Sequence, residues 1–251
     1  MSIKKNNEYH TSFGFKDVSR DEKDALVAEV FNNVAPNYDL MNDLMSLGLH
    51  RLWKSRLIEK IRPSPTLNVL DVGGGTGDLP FKFLEMGGKE IVVADINKKM
   101  LVVGRDRALN RALISEITWI CANAEELPID DASFDCYVTA FCFRNVGNLD
   151  KALKEAHRIL KPGGKFLCLE FSHVIIPQLR KLYDIYSFNY LPFLGQVVSK
   201  DRSSYQYLVE SIRRFPHQDE FLAQIEESGL VKASYENILG GITAIHSAWK
   251  I

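Results

Sequence analysis

Short apolar runs alternate with helix-like segments between residues 67 and 171, and this alternation limits the possible folds more than any other feature. Five such runs are predicted as strands: Leu67–Val72, Glu90–Ile96, Ile117–Ala122, Phe134–Phe141 and Lys165–Phe171. Strands that alternate with helical patterns indicate βαβ units, in which a parallel sheet is covered by helices on both faces. Two further runs, Val231–Ile238 and Ile242–Trp249, are joined through Gly240 and Gly241, which predicts a hairpin at the end of the chain.

The predicted fold class is α/β, with a doubly wound, Rossmann-like sheet of about seven mostly parallel strands and an antiparallel C-terminal hairpin strand. Apolar residues at a 3–4 spacing predict helix over Asp17–Lys60, and a turn is predicted at Lys161–Gly164. Two or three more helical segments are predicted after Pro177, within Leu179–Asn189, Tyr205–Arg214 and Gln218–Ser228. We expect a single domain with four parts: a helical N-terminal cap (12–62), a ligand-binding core (63–172), a helical insertion (173–230) and the final strands (231–251).

A glycine-rich loop follows the first predicted strand, at the edge of the sheet where doubly wound folds bind ligands. It reads Asp71-Val72-Gly73-Gly74-Gly75-Thr76-Gly77-Asp78. The P-loop pattern is excluded because no Gly-Lys-Ser/Thr follows. Asp78 replaces the third glycine of the dinucleotide pattern, and its carboxylate would repel a pyrophosphate but pair with a cationic ligand. Asp95 ends the second strand, 20 residues after Gly75, where an acid accepts hydrogen bonds from the ribose of NAD or another nucleoside cofactor.

Three later segments complete an ordered set: Cys121–Pro128 after strand three, Ser133–Asp135 at the start of strand four, and Leu160–Gly164 before strand five. With the glycine loop and Asp95, this set resembles class I S-adenosylmethionine-dependent methyltransferases. The resemblance implies S-adenosylmethionine as the cofactor, with the loop at its methionyl part, Asp95 at the ribose and the segment after strand three at the adenine. The cofactor-binding residues that it implies are Asp71, Gly73, Gly75, Thr76, Gly77, Asp95, Asn123, Ala124 and Ala140.

Three longer stretches resemble a narrower family, the ubiquinone/menaquinone biosynthesis C-methyltransferases: Tyr38–Lys54, Phe143–Val146, and Ser204–Ile212 with the Phe215-Pro216 and Gln218 that follow. The likeness covers about Ser12 to Ile251. It implies C-methylation of the ring of a polyprenyl benzoquinol, of demethylmenaquinol, or of both. The chain departs from the family at Ala140-Phe141-Cys142, where members often carry Ser-Phe-Gly, so Ala140 can contact the cofactor only through its backbone.

Two alternatives to this function stay open: a methyltransferase on another small lipid or sterol, and a non-catalytic scaffold of a quinone-biosynthesis complex. Methylation of an adenine amino group is disfavoured, because the segment Ala140–Val146 lacks the N/D-P-P-Y/F motif of those enzymes.

Ring methylation requires an electron-rich carbon, which a hydroquinol provides once one hydroxyl is ionised, and it requires no metal. We predict that Arg144 stabilises this phenolate, since arginine stays protonated in proteins; a structural ion pair is the alternative. Asn145 is predicted to form a hydrogen bond with an oxygen on the substrate ring; the alternative is a structural role as a turn residue that caps strand four. Tyr38 and His50 are further catalytic candidates from the N-terminal region, each with a structural alternative, and so is His173, for which a structural role is favoured. The general base is left open.

The longest uncharged stretch, Ile185–Ser199, has 15 residues, whereas a membrane-spanning helix needs about 18 or more. Its apolar character predicts either an entrance for a polyprenyl tail at the membrane surface or a core or dimer interface. The expected partners are a polyprenyl quinol, a membrane surface, and a homodimer or a quinone-biosynthesis complex.

Nucleic acid is not expected as a partner, because 31 Lys and Arg residues against 32 Asp and Glu give a net charge of -1. Four cysteines without metal-site spacing predict buried free thiols and no metal. A polar N-terminus without a recognisable leader favours a cytoplasmic protein peripheral to a bacterial inner membrane; the matrix side of the mitochondrial inner membrane is the alternative.

Overall fold

The computed structural model describes residues 10–35, 38–199 and 202–251. Its strands are β1 (His10–Phe13), β2 (Lys16–Ser19), β3 (Val69–Val72), β4 (Ile91–Asp95), β5 (Ile117–Cys121), β6 (Phe134–Ala140), β7 (Leu160–Phe171), β8 (Val231–Ile238) and β9 (Thr243–Trp249). Its α-helices are α1 (Arg20–Val34), α2 (Tyr38–Ser46), α3 (His50–Ile61), α4 (Asp78–Glu85), α5 (Lys98–Asn110), α6 (Leu149–Ile159), α7 (Pro177–Ile185), α8 (Leu191–Ser199), α9 (Arg202–Arg214) and α10 (Gln218–Glu227). Short 3₁₀ turns lie at Phe143–Asn145 and Leu239–Gly241, and a π-helical turn at Tyr186–Tyr190 joins α7 to α8.

The main sheet has seven strands in the order β5-β4-β3-β6-β7-β9-β8. Neighbours from β5 to β7 are parallel, whereas β9 runs antiparallel to both β7 and β8. The predicted α/β fold with a mostly parallel sheet and an antiparallel C-terminal pair is therefore confirmed. The strand order reverses beside β3, and ligands of doubly wound folds bind at such a switch point, outside the carboxyl ends of the strands.

Side chains on both faces of the central strands are buried, as a parallel sheet covered by helices requires. On one face, Val69 and Val138 belong to a cluster that includes side chains of α1, α3, α4 and α9. On the other face, Leu70 and Tyr137 belong to a cluster with α6 and α10. This two-sided burial explains why the strands read as nearly continuous apolar runs, and it fixes the carboxyl edge of the sheet as a rigid base for the loops.

The prediction of helix from Asp17 is wrong at its start, because β1 and β2 form a separate antiparallel hairpin there. The hairpin turns at Gly14, whose φ of +57° favours glycine. A Cβ at this glycine would lie 2.2 Å from Glu210 Oε2, and the same carboxylate accepts a 3.0 Å hydrogen bond from the Phe15 amide. Long-range contact with α9 thus holds a hairpin that local patterning missed, so the N-terminal cap is not wholly helical.

Two other boundaries differ from the sequence prediction. The segment Lys161–Gly164 lies inside β7, because the Gly163 amide donates to Lys250 O at 2.7 Å and the Lys250 amide donates to Gly164 O at 3.0 Å. The first insertion helix begins at Pro177 and does not end at Asn189; it passes through the π-helical turn into α8. In the described ranges, no helix is long and apolar enough to cross a membrane.

Candidate active site

A cavity, here called the main cavity because it contains most of the predicted site residues, lies at the carboxyl edge of the sheet, beside the switch point. Its walls come from the loop after β3, the ends of β4 and β5, the turn after β6 and one face of α1. Six residues predicted from the sequence line it together: Gly73, Gly75, Asp95, Asn123, Ala124 and Asn145. The structure therefore brings the glycine loop, the Asp95 carboxylate and the segment after β5 together at one cavity.

The glycine loop can form this wall only without side chains. Gly73 has a φ of +75°, and a Cβ there would lie 2.3 Å from the Sγ of Cys142. Gly75 has a φ of +52° and faces Met100 and Asp95 at the cavity. Gly77, by contrast, lines neither cavity described here, and a Cβ on it would lie 2.9 Å from Trp119. Its glycine is required by packing, and its predicted cofactor contact stays a prediction.

Asp95 is held by backbone amides on both carboxylate oxygens. Its Oδ2 accepts from the Gly75 amide at 3.0 Å, and its Oδ1 accepts from the Asn97 amide at 2.7 Å. Burial raises its pKa to about 6, although these two amides oppose the shift. A carboxylate oxygen has further lone pairs, so the group can still accept hydrogen bonds from ribose hydroxyls.

The segment after β5 is ordered by its own turn. Asn123 Oδ1 accepts a 3.0 Å hydrogen bond from the Glu125 amide, and Ala124 is buried at the cavity wall. The Glu125 carboxylate in turn accepts from the Asn148 amide at 2.9 Å and from Arg20 of α1.

Helix α1 forms a wall that sequence reasoning did not assign to the site. Asp24, Val27, Ala28 and Phe31 line the cavity. Besides the Arg20 ion pair, Lys23 Nζ donates to Val146 O at 2.7 Å and so ties this helix to the turn after β6. The apolar 3–4 spacing of α1 predicted a packed face, but no local signal showed that part of that face meets a ligand cavity.

A second, smaller cavity lies on the other side of the glycine loop and contains the other predicted loop residues. Asp71, Thr76 and Ala140 line it, together with Lys54 and Asp78. The Oδ2 atom of Asp71 is buried and has no hydrogen-bond partner among the described residues, and burial raises the pKa of this carboxyl to about 8. An orphaned acceptor beside a glycine loop fits a ligand that brings a hydrogen-bond donor or a positive charge.

Asp78 already has two cationic partners from the protein itself. Its carboxylate lies 2.9 Å from Lys54 Nζ and 2.9 Å from Arg107 Nη2. Burial alone would raise the pKa of Asp78, but these two cations hold it below its usual range. The sequence suggested a cationic ligand for this carboxylate. In the structure its two ion pairs instead connect α3 and α5 to the end of the glycine loop.

Arg144 lies in the 3₁₀ turn after β6 and forms a buried ion pair with Glu170 at the end of β7. Arg144 Nη1 is 2.8 Å from Glu170 Oε1, and the two side chains are only 4% and 1% exposed. Nη1 also donates to Phe141 O at 2.6 Å. Burial raises the pKa of Glu170, and the Arg144 charge opposes that shift. Sequence reasoning missed Glu170, although an acid inside the apolar run of strand five was a visible signal.

Asn145 follows Arg144 and lines the main cavity. Its Oδ1 accepts a 3.0 Å hydrogen bond from the hydroxyl of Tyr207, and its Nδ2 lies 3.5 Å from Phe141 O. Phe141 has a φ of +59°, so the chain turns sharply at the end of β6 and aims its carbonyl at both neighbouring side chains.

The remaining candidates lie away from this group. His50 lines neither cavity; its Nε2 is 2.9 Å from Asp43 Oδ1, and burial, reinforced by the charge of Lys54, lowers its pKa. His173 stacks on His217 with ring centroids 3.7 Å apart. Tyr38 belongs to α2, but its side chain lies outside the described part of the structure. The catalytic roles predicted for Tyr38 and His50 stay predictions.

Solved structures of S-adenosylmethionine-dependent methyltransferases share this fold. A methyltransferase from Thermotoga maritima aligns with a TM-score of 0.63 and 18% identity, covering 90% of this chain and 100% of the other. One from Aquifex aeolicus aligns with a TM-score of 0.60 and 15% identity, over 84% and 97% of the two chains. The TM-scores show a shared fold, and at such low sequence identity the alignments show the fold alone.

The chain belongs to the ubiE/COQ5 methyltransferase family, which it matches over residues 17–250. It is 52% identical to the ubiquinone/menaquinone biosynthesis C-methyltransferase of Brucella canis, over 96% of this chain and 91% of the relative. It is 48% identical to the mitochondrial 2-methoxy-6-polyprenyl-1,4-benzoquinol methylase of Bos taurus, over 96% and 84%. The predictions of an S-adenosylmethionine-dependent C-methyltransferase and of its family are thereby confirmed.

Proposed function

We propose that this enzyme methylates a ring carbon of a polyprenyl benzoquinol, of demethylmenaquinol, or of both, as the names of its relatives indicate. The observation that carries the proposal is the position of Asn145 at the main cavity, next to Arg144, which lines neither cavity but is buried directly behind the turn, bound to the Phe141 carbonyl and to Glu170. Asn145 thus offers an amide where a substrate oxygen can meet the cofactor site, with the Arg144 cation fixed one residue away.

The residues of the main cavity fit the cofactor. S-adenosylmethionine, when bound, supplies an electrophilic methyl group on a positively charged sulfur. The side-chain-free loop at Gly73 and Gly75 allows close approach of a ligand, and Asp95 is an acceptor suited to ribose hydroxyls. Asp71, with its orphaned buried oxygen, is the acceptor on the methionyl side of the loop.

The protein contributes position and electrostatics to the reaction. A phenol has a pKa of about 10, so the ring carbon becomes nucleophilic at neutral pH only if the phenolate is stabilised. Arg144 carries a permanent charge and acts as a stabiliser rather than as a base. Because Glu170 offsets much of that charge, we infer that Arg144 works mainly through directed hydrogen bonds in a buried site, where such bonds are strong. Asn145 supplies a second polar contact to the ring oxygen.

A labelling experiment tests this function. The purified enzyme would be incubated with methyl-labelled S-adenosylmethionine and, in separate reactions, a reduced benzoquinol analogue, a reduced naphthoquinol analogue, a sterol and another small lipid, and the labelled atom would be located by mass spectrometry. We expect label on a ring carbon of at least one analogue. Label on oxygen would contradict C-methylation, label only on a sterol or another lipid would favour the alternative substrate, and binding without transfer would favour the scaffold role.

We also propose that α7 and α8 contact a membrane surface, through which the polyprenyl tail reaches the site. Leu182, Ile185, Tyr190 and Phe193 are between 46% and 66% exposed; we call these four residues the apolar stripe. Their spacing of three, five and three residues fits one helix face because the π-helical turn adds one residue to the middle turn. The opposite face, with Tyr183 and Leu191, is buried in the core.

Liposome flotation tests the membrane contact. Phe193→Asp should reduce flotation with vesicles of zwitterionic and anionic lipid, while the affinity for S-adenosylmethionine stays unchanged. Leu109→Asp is the matched control, since Leu109 on α5 is equally exposed at 63% but lies off the apolar stripe. Equal flotation of both variants and the wild type would contradict the contact. The corresponding location is the surface of a bacterial inner membrane or the matrix side of a mitochondrial one; assembly into a homodimer or a larger complex stays a prediction.

A further inference from the structure

One stretch that marks the family, Ser204–Ile212, lines neither cavity, yet one of its side chains reaches the active site. The stretch belongs to α9, and Tyr207 on this helix is 3% exposed. Its hydroxyl donates to Asn145 Oδ1 at 3.0 Å across 62 positions of sequence. We propose that Tyr207 is a positioning residue that fixes the amide of Asn145, so that the amide nitrogen is presented to the substrate oxygen. This inference rests on the proposed function.

The contacts of Asn145 select one orientation of its amide. Phe141 O can only accept a hydrogen bond, so the neighbouring amide atom, 3.5 Å away, must be the nitrogen. The amide oxygen then faces Tyr207, whose hydroxyl donates to it. The amide nitrogen has two hydrogens, and one of them is left for a ligand in the cavity. A donor at this position suits a phenolate or hydroxyl oxygen of the ring.

Tyr207 is itself held in place by the N-terminal hairpin. Its ring stacks on Phe13 of β1, with centroids 4.1 Å apart and an angle of 12° between the ring planes. One turn further along α9, Glu210 accepts the Phe15 amide at 3.0 Å. The stack fixes the ring, and the carboxylate fixes the helix relative to the hairpin. Burial raises the pKa of the Tyr207 hydroxyl well above its usual range, so this group remains a hydrogen-bond donor at neutral pH.

The Tyr207→Phe variant removes the hydroxyl and keeps the ring stack. We expect kcat/KM for the quinol to fall roughly three- to tenfold, the loss of one neutral hydrogen bond, with an unchanged Kd for S-adenosylmethionine. Tyr137→Phe is the control, because Tyr137 is fully buried in β6 and its hydroxyl has no hydrogen-bond partner among the described residues. That variant should keep the wild-type kcat/KM. Unchanged kcat/KM in Tyr207→Phe would overturn the inference.

A double-mutant cycle separates positioning from a general structural role. In an Asn145→Ala background, Tyr207→Phe should cause no further loss of kcat/KM, since the group it positions is absent. An equal loss in both backgrounds would show that Tyr207 acts on something other than Asn145 and would refute the inference.

A spectroscopic readout keeps this inference separable from the proposed function. The side-chain amide signals of Asn145, assigned in ¹⁵N-labelled protein by their absence in Asn145→Ala, should shift in Tyr207→Phe and not in Tyr137→Phe. Unmoved signals in Tyr207→Phe would count against the inference even if the enzyme were active. If the signals shift but no quinol is methylated by the wild type, the proposed function fails while the positioning contact stands.

Discussion

Replacing Glu170 with Gln should destabilise the fold sharply, because it leaves the guanidinium of Arg144 buried without its counter-charge. Glu170 accepts three hydrogen bonds: Arg144 Nη1 and the Phe171 amide on Oε1, each at 2.8 Å, and the Arg144 amide on Oε2 at 3.3 Å. Glutamine can reproduce the contacts of one oxygen only. Its NH₂ group would then face the Arg144 amide, donor against donor.

The expected loss follows from these contacts. Removing one partner of a buried ion pair costs about 3–5 kcal/mol, and because Gln keeps one acceptor we expect roughly 3 kcal/mol. A domain is stable by only about 5–15 kcal/mol, so this loss would be easy to measure. Urea unfolding followed by circular dichroism at pH 7 gives the free energy of unfolding, and Arg144→Met/Glu170→Leu, which removes both charges, should lie closer to the wild type.

A loss below about 1 kcal/mol in Glu170→Gln would refute the reasoning. Since burial raises the pKa of Glu170, that result would mean that the carboxyl is already neutral and that glutamine imitates its protonated form. Arg144 would then carry an uncompensated charge in the native enzyme, and its electrostatic effect on a phenolate would be larger than proposed above.

Affinity for S-adenosylmethionine should rise as the pH increases through about 6, where Asp95 ionises and becomes the stronger acceptor; Asp95→Asn should bind more weakly and without this dependence in calorimetry. Because folding raises the pKa of Asp71 to about 8, the unfolded chain binds fewer protons between pH 4 and 8, and stability should fall by roughly 1 kcal/mol per pH unit there. In Asp71→Asn, urea unfolding should not show this fall in stability between pH 4 and 8. Gly73→Ala should abolish cofactor binding, and Cys142→Gly should partly restore it by removing the atoms 2.3–2.4 Å from the new methyl group.

The sequence predicted the sheet well because its strands are buried on both faces. The runs at β3, β4 and β6 are apolar at almost every position, and the glycine loop and Asp95 follow two of them directly. The positions that the local sequence pattern predicts for the glycine loop and Asp95 therefore agree with their positions at the carboxyl edge of the sheet. The likeness to the family also predicted roles for Arg144 and Asn145; the structure places Asn145 at the cavity, and both catalytic roles stay predictions.

The parts that the sequence did not predict depend on contacts between distant segments. Glu170 meets Arg144 across 26 positions, and Tyr207 meets Asn145 across 62. The β1–β2 hairpin is held against α9 through Glu210, so its local pattern alone did not reveal it. In each case the decisive partner is one polar side chain of a segment distant in sequence, and periodicity cannot pair such a side chain with a particular neighbour.

The destination of the transferred methyl group tests ring C-methylation most directly. The wild-type enzyme would be supplied with S-adenosylmethionine carrying a ¹³C methyl group and a reduced demethyl-quinol, and the product would be examined by carbon NMR. We predict one ¹³C methyl signal at the chemical shift of an aromatic C–CH₃ group, greatly reduced in Arg144→Ala and unchanged in Tyr137→Phe. A methoxy signal, or no incorporation by folded enzyme that binds S-adenosylmethionine, would contradict ring C-methylation at this site.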